Sequence, residues 1–209
     1  LLKTKAPHAK RIQGIKGIHQ AHYEAAKICE SDYFWVVDAD AIILDNFVFE
    51  YKIEFYSPET VRVWRSKNSV NNLIYGNGGV KLLPRMATLR MNMNSPDMTT
   101  SICKRYEPIM FVSNITEFNS DSFHSWRSAF REVVKLIHYN NRAQSVESKH
   151  RLHVWKTSGD TWSRRGAEDA ELYYTYGSNG GDEETLMETS DWVWLRKYFY
   201  ARYSDEIKV

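Results

Sequence analysis

Apolar residues recur along this chain in two rhythms, one helical and one of short unbroken runs. In residues 17–29, GIHQAHYEAAKIC, the apolar or small residues Ile18, Ala21, Ala25 and Ile28 return every three or four positions, which predicts an amphipathic helix. Glu30-Ser31-Asp32 breaks the pattern. Residues 33–37, YFWVV, are a continuous run of aromatic and β-branched types, as expected of a strand covered on both faces. A helix followed by such a strand implies an α/β layered architecture.

Downstream, residues 41–56 read as a loop and a strand, and 60–65 as an alternating strand. Residues 73–84 read as a glycine turn leading into a short strand, and 109–115 as another strand. Residues 86–105 are weakly patterned and predict a loop or a short helix. Residues 122–138 predict the clearest helix, since Phe123, Trp126, Phe130, Val133, Val134 and Ile137 share one face. The polar stretch 140–151 suggests a flexible connection. A helix near 167–175, the loop SNGGDEE and a Trp/Tyr-rich segment at 191–203 follow. Trp192, Trp194, Leu195, Tyr198 and Phe199 are expected to fold back on the core. The expected organisation is a main domain over 1–150 with an aromatic extension, 151–209, packed on it.

Composition narrows the function classes. The 209 residues are enough for a sizeable core, and 14% are aromatic, with seven Trp and thirteen Tyr. Such rings serve either ordinary packing or the flat faces of sugars and bases. A net charge of +2 supplies no global pull toward nucleic acid, although Lys3, Lys5, Lys10, Arg11 and Lys16 crowd the start. Cys29 and Cys103 have neither metal-site spacing nor a disulfide framework, which fits a reducing cytoplasm. Asn114–Ile115–Thr116 is a glycosylation sequon. No signal peptide is visible, and no apolar run approaches the ~18 residues of a membrane span, so no membrane partner is expected. The chain opens at Leu1 without Met, which suggests a missing upstream piece.

The candidate chemistry lies at Asp38-Ala39-Asp40, directly after YFWVV. In open α/β sheets, ligands bind beyond the carboxyl ends of strands. Two carboxylates there repel unless something neutralises them. Mg²⁺ or Mn²⁺ would do so, since hard cations take oxygen ligands and bridge carboxylates to phosphate oxygens. Both aspartates could otherwise be loop caps.

The stretch GIHQAHYEAAKICESDYFWVVDADAIILDNF resembles the nucleotide-sugar half of glycosyltransferases of the GT-A fold. More narrowly, the chain resembles glycosyltransferases encoded by large tailed bacteriophages. The segments AKRIQGIKGIHQAH, FWVVDADAIILDNFVFEY, VRVWRSKNSVNNLIYGNGGVKLLP, DMTTSI and SNITEFNSDSFHSWRSAFREVVKL carry it, over roughly residues 7–138. The resemblance implies a GT-A-like, Rossmann-like mixed sheet flanked by helices, here lacking the first strand. Asp38 and Asp40 would be ligands of Mn²⁺ or Mg²⁺ and of the diphosphate. Lys16 and His22 would face the nucleotide, most readily of a UDP-sugar. Gly76, Gly78 and Gly79 in YGNGG would let a sugar approach the backbone, with Trp64 and Arg65 walling the pocket. The glycines are equally those of a plain hairpin turn.

An inverting transferase needs a base for the acceptor hydroxyl. Asp97 and Asp121 are the candidates, although each could simply cap a helix. Glu132 could instead pair with Arg131 or Lys135, and His153 is a candidate third metal ligand. The acceptor carries a free hydroxyl, and the phage resemblance adds hydroxymethylated pyrimidine in phage DNA, with the host cytoplasm as location. Two alternatives stay open. One is a haloacid-dehalogenase-type phosphatase, with Asp38 as nucleophile and FVSN at 111–114 as its second motif. The other is a non-catalytic carbohydrate- or nucleic-acid-binding module.

Overall fold

The computed structural model describes residues 2–54, 59–95, 97–142, 145–177 and 183–207. The chain divides into two compact units, residues 1–68 with 74–116, and residues 69–73 with 117–209. The boundary expected at 150 falls inside a helix of the second unit, Val146–Thr157.

The first unit is a mixed six-stranded sheet flanked by helices. Its strands are β1 (Tyr33–Val37), β2 (Ala41–Ile43), β3 (Val61–Asn68), β4 (Ile74–Tyr75), β5 (Val80–Pro84) and β6 (Tyr106–Thr116), in the order β1-β5-β3-β6-β2, with β4 also on β3. Among the described residues only β3 and β6 run parallel, and a register shift interrupts them around Trp64, Arg65 and Ser66. Helices α1 (Leu2–Lys5), α2 (Ile18–Lys27), α3 (Arg85–Leu89) and α4 (Met98–Ile102) complete the unit.

Strand alternation sends side chains into two separate cores. Phe34, Val61, Val63 and Leu83 meet Ala26 of α2, Ala87 of α3 and Met98 and Ile102 of α4. On the other face, Trp64, Val80 and Leu82 pack with Ile43 and Phe47, and Tyr33, Trp35, Val37, Phe49 and Tyr51 close around them. That explains the unbroken apolar run of β1, whose two faces are both covered. Its lateral position differs from that of a central strand: among the described residues it pairs with β5 alone, antiparallel, and lies at the sheet edge.

Helix α2 also departs from expectation in rotation. Its buried residues are His22 and Ala26, whereas Ile18 is 56% exposed. The methyl of Ala26 fits against the sheet, and the Arg85 side chain donates to its carbonyl at 3.1 Å. The weakly patterned 86–105 contains α4 and all of α3 but its first residue, and the strand foreseen over 109–115 extends from Tyr106 to Thr116.

The second unit is helical: α5 (Ser122–Arg142), α6 (Val146–Thr157), α7 (Thr161–Leu172), a π-helical turn (Tyr173–Gly177), α8 (Glu183–Glu188) and α9 (Trp192–Ile207). Most of the supposed flexible connection at 140–151 is therefore helix. Residues 178–182 of the SNGGDEE loop lie outside the described residues. Trp126 and Phe130 of α5 are completely buried with Phe199 and Leu195 of α9. Trp126 stacks on Phe130 with centroids 4.6 Å apart and tilts against Phe199 at 5.2 Å. The aromatic C-terminal segment thus folds back on α5, and much of the aromatic excess here is core. Asp169 of α7, 5% exposed, accepts from Trp126 Nε1, Arg202 and Tyr203, which satisfies a carboxylate that burial would otherwise penalise.

Gly166 is what lets α5 and α7 approach. A Cβ there would press on the Trp126 carbonyl oxygen, which is backbone and cannot turn aside. Gly166→Ala is expected to lower stability by about 1–3 kcal/mol, measured by urea unfolding, while an unchanged midpoint would show that the helices yield freely.

Candidate functional site

The C-terminal end of β1 brings together residues that are far apart in sequence. Asp38 follows the last strand residue, and its N–H donates to the Gly79 carbonyl at 2.9 Å, which continues the β1–β5 ladder by one step. Its carboxylate therefore stays on the helix-covered face, two positions beyond Val36. On that face Lys81 of β5 stands beside Val36 in register and donates to Asp38 Oδ1 at 2.8 Å. The same ammonium donates to the Gly78 carbonyl. The Lys81 side chain is only 3% exposed and that of Asp38 35%, so the pair is a cation buried by the fold and an anion open on one side.

His22 of α2 joins them. It is 6% exposed, and its Nδ1 lies 2.8 Å from the Ile18 carbonyl. A carbonyl only accepts, so Nδ1 carries the proton and Nε2 of the neutral ring is an acceptor. Nε2 is buried and without a hydrogen-bond partner among the described residues. Burial pushes the His22 pKa down, and the Lys81 charge adds to this; the Ile18 carbonyl and Asp38 act in the opposite direction.

Behind the pair, YGNGG is fixed by buried polar side chains. Asn77 accepts from the Gly79 N–H at 3.0 Å and donates to Thr116 at 2.9 Å. Asn114 accepts from Ser66 at 2.7 Å and from Ser113 at 2.9 Å, and donates to Thr116 at 3.0 Å. Gly78 has φ +85°, which a side chain would disfavour, and a Cβ on Gly79 would lie 2.7 Å from Asn114 Nδ2. The close approach at Gly79 is thus to the chain's own Asn114 and Ser66. Asn114 is fully buried, so the sequon does not lie on the surface.

The other sequence candidates, apart from Asp40, are dispersed. Asp40 is exposed, two residues beyond Asp38. Lys16 is exposed and does not enter the cluster. Trp64 is buried on the opposite face of the sheet, 4.6 Å from Trp35 between centroids, so it does not wall a space beside Asp38. Gly76 is exposed, and a Cβ there would meet the Tyr106 hydroxyl. Asp97 caps α4, accepting from the Thr100 N–H at 2.8 Å.

Asp121, in the second unit, accepts from the His124 N–H at 2.8 Å and lies 2.6 Å from its ring nitrogen. Partial burial pushes the Asp121 pKa up, but these hydrogen bonds outweigh it and the net shift is downward. Glu132 pairs with Arg151 of α6 and also acts on the charge of its neighbour Arg131, and His153 is exposed on α6. Lys5 and Lys10 of the basic run donate to backbone carbonyls of Phe47 and Ile28.

Lys81 was not among the candidates read from the sequence. The available signal was a lone cation inside the apolar strand VKLLP, because a buried lysine requires a partner. Among the described residues no group of three or more His, Cys, Asp or Glu could hold a metal ion. No helix among them is long and apolar enough to cross a membrane. Two open grooves, one lined by Tyr173, Trp194, Tyr198 and Arg202 and one by Met187 and Asp191, belong to the second unit and include none of the predicted site residues. Compared with protein-family models, curated proteins and solved structures, the chain matches none.

The sign of the His22 shift sets a pH dependence. A ring held neutral in the fold costs nothing above the ordinary imidazole value of 6.5. Below it the unfolded chain takes up a proton that the fold resists, so stability falls as the medium is acidified. His22→Gln is expected to flatten the loss between about pH 6.5 and 5 in thermal melts; an identical acid slope in the variant would remove His22 from the account.

Proposed function

We propose that this chain is a GT-A-like, metal-dependent glycosyltransferase, moving a sugar from a nucleotide-sugar, most readily a UDP-sugar, to a hydroxyl acceptor at Asp38 and Asp40. The observation that supports this reading best is the convergence of Asp38, buried Lys81, His22 and the Gly78–Gly79 turn at one strand end.

The donor set fits a cation of a particular kind. Asp38 commits one oxygen to Lys81 and has a second to offer, and Asp40 stands exposed two residues on. Two carboxylates suit Mg²⁺ or Mn²⁺ that completes its shell with phosphate oxygens and water. They do not suit an ion held by protein alone. When bound, such a cation would neutralise charge on the departing diphosphate.

The chain's own groups supply the rest. Lys81 holds a fixed positive charge where solvent screens it little, which favours an anionic ligand. His22 Nε2, buried and without a hydrogen-bond partner among the described residues, would accept from a ligand hydroxyl that reached it. The Gly78–Gly79 turn, pinned by Asn77, keeps the Lys81 ammonium in place without reorganisation. Asp97 and Asp121 are engaged as helix caps, and neither is assigned as the base.

One observation also favours the phosphatase reading. A carboxylate paired with a buried lysine suits a nucleophile that attacks phosphorus. Hydrolysis of an aryl phosphate by the wild type, lost in Asp38→Asn, would select it.

For the transferase, the decisive variant is Asp40→Asn. Nucleotide-sugar turnover with Mn²⁺ is expected to fall by at least about 100-fold with an unchanged melting temperature. Full activity in this variant would reject the assignment.

A further inference from the structure

We propose, on the basis of that reading, that Lys81 is a diphosphate-binding residue whose resting partner is Asp38, so that cation and nucleoside diphosphate load together and neither binds well alone.

The argument starts from what Lys81 can afford to lose. Its ammonium is almost fully buried and is held by Asp38 Oδ1 and the Gly78 carbonyl. An ammonium has three protons to donate, and these contacts engage two. A divalent cation drawn to Asp38 competes for the carboxylate that neutralises Lys81. With only a peptide carbonyl left, a buried cation facing a dication is strongly disfavoured. A diphosphate oxygen removes that obstacle, since it offers Lys81 a new anion as Asp38 turns to the metal.

Charge balance gives the same answer. Asp38 and Lys81 at rest neutralise each other. A divalent cation alone makes the pair plus two, and a nucleoside diphosphate alone, at about three negative charges near neutral pH, makes it about minus three. Both together leave about minus one, nearer to neutral than either alone. In a partly buried site the balanced states are favoured over the unbalanced ones. His22 fits too, since it lies close enough to Lys81 and Asp38 to feel both charges, and its buried Nε2 has no hydrogen-bond partner among the described residues. Lys81 is here a binding and positioning residue, and its signature is thermodynamic coupling between two ligands.

The experiment is calorimetry with Mn²⁺, with UDP, GDP, CDP and ADP, and with each nucleotide in the presence of Mn²⁺. The wild type is expected to bind Mn²⁺ weakly alone and to bind at least one nucleotide about 10-fold or more tighter when Mn²⁺ is present. In Lys81→Met, which releases Asp38, Mn²⁺ alone should bind more tightly than in the wild type. The nucleotide should bind more weakly, and the coupling should shrink below about 3-fold. If Lys81→Met fails to fold, Lys81→Gln keeps a donor for the Gly78 carbonyl and serves in its place. Coupling of equal size in the lysine variant would overturn the role of Lys81 while leaving sugar transfer standing. A wild type that binds none of the four nucleotides with Mn²⁺ would overturn both.

Discussion

A buried lysine must be neutralised, and the end of β1 is arranged around that requirement. Lys81 occupies the second position of a strand that is otherwise apolar and buried, and its counter-ion comes from a different strand. Truncating either partner would strand a charge, which is far more costly than losing an exposed ion pair. The position of Asp38 is consequently fixed by the ladder that pairs β1 with β5, and the carboxylate cannot drift without exposing the ammonium to an empty partner.

The surroundings are consistent with this constraint. The Gly78 carbonyl reaches Lys81 because the turn takes a positive φ, and the turn holds that shape because Asn77 ties Gly79 to Thr116. Asn114 then links Ser66, Ser113 and Thr116 into a buried network beneath it. Buried networks of this kind are specific when every member is satisfied. The polar side chains at the ends of β3 and β6 therefore serve the geometry of the turn, and the packing faces of the sheet lie elsewhere.

Legibility in the sequence followed the range of the forces involved. YFWVV announced a strand because both its faces are apolar, and SFHSWRSAFREVVKL announced a helix because its stripe is long and regular. Lateral order in the sheet was not legible, since an edge strand with both faces covered has the same apolar run as a central one. The rotation of α2 was hidden for a related reason: small Ala26 packs against the sheet and His22 is buried, while the larger Ile18 is left outside. At the site, Asp38 and His22 were both singled out from the sequence, and they lie near enough for the Asp38 charge to act on the ring. Trp64 was misread because its strand alternation places it on the far face, and Asp97 proved to satisfy a helix end. Lys81 was missed because its partner lies forty-three positions away, a pairing that only the β1–β5 register creates.

The most direct test of the account is a crystal of this protein grown with Mn²⁺ and a nucleoside diphosphate that binds it. The account predicts an anomalous manganese peak between the carboxylates of Asp38 and Asp40, with a diphosphate oxygen within hydrogen-bonding distance of Lys81 Nζ. An unaltered Asp38–Lys81 pair, with metal and nucleotide both bound elsewhere, would contradict it.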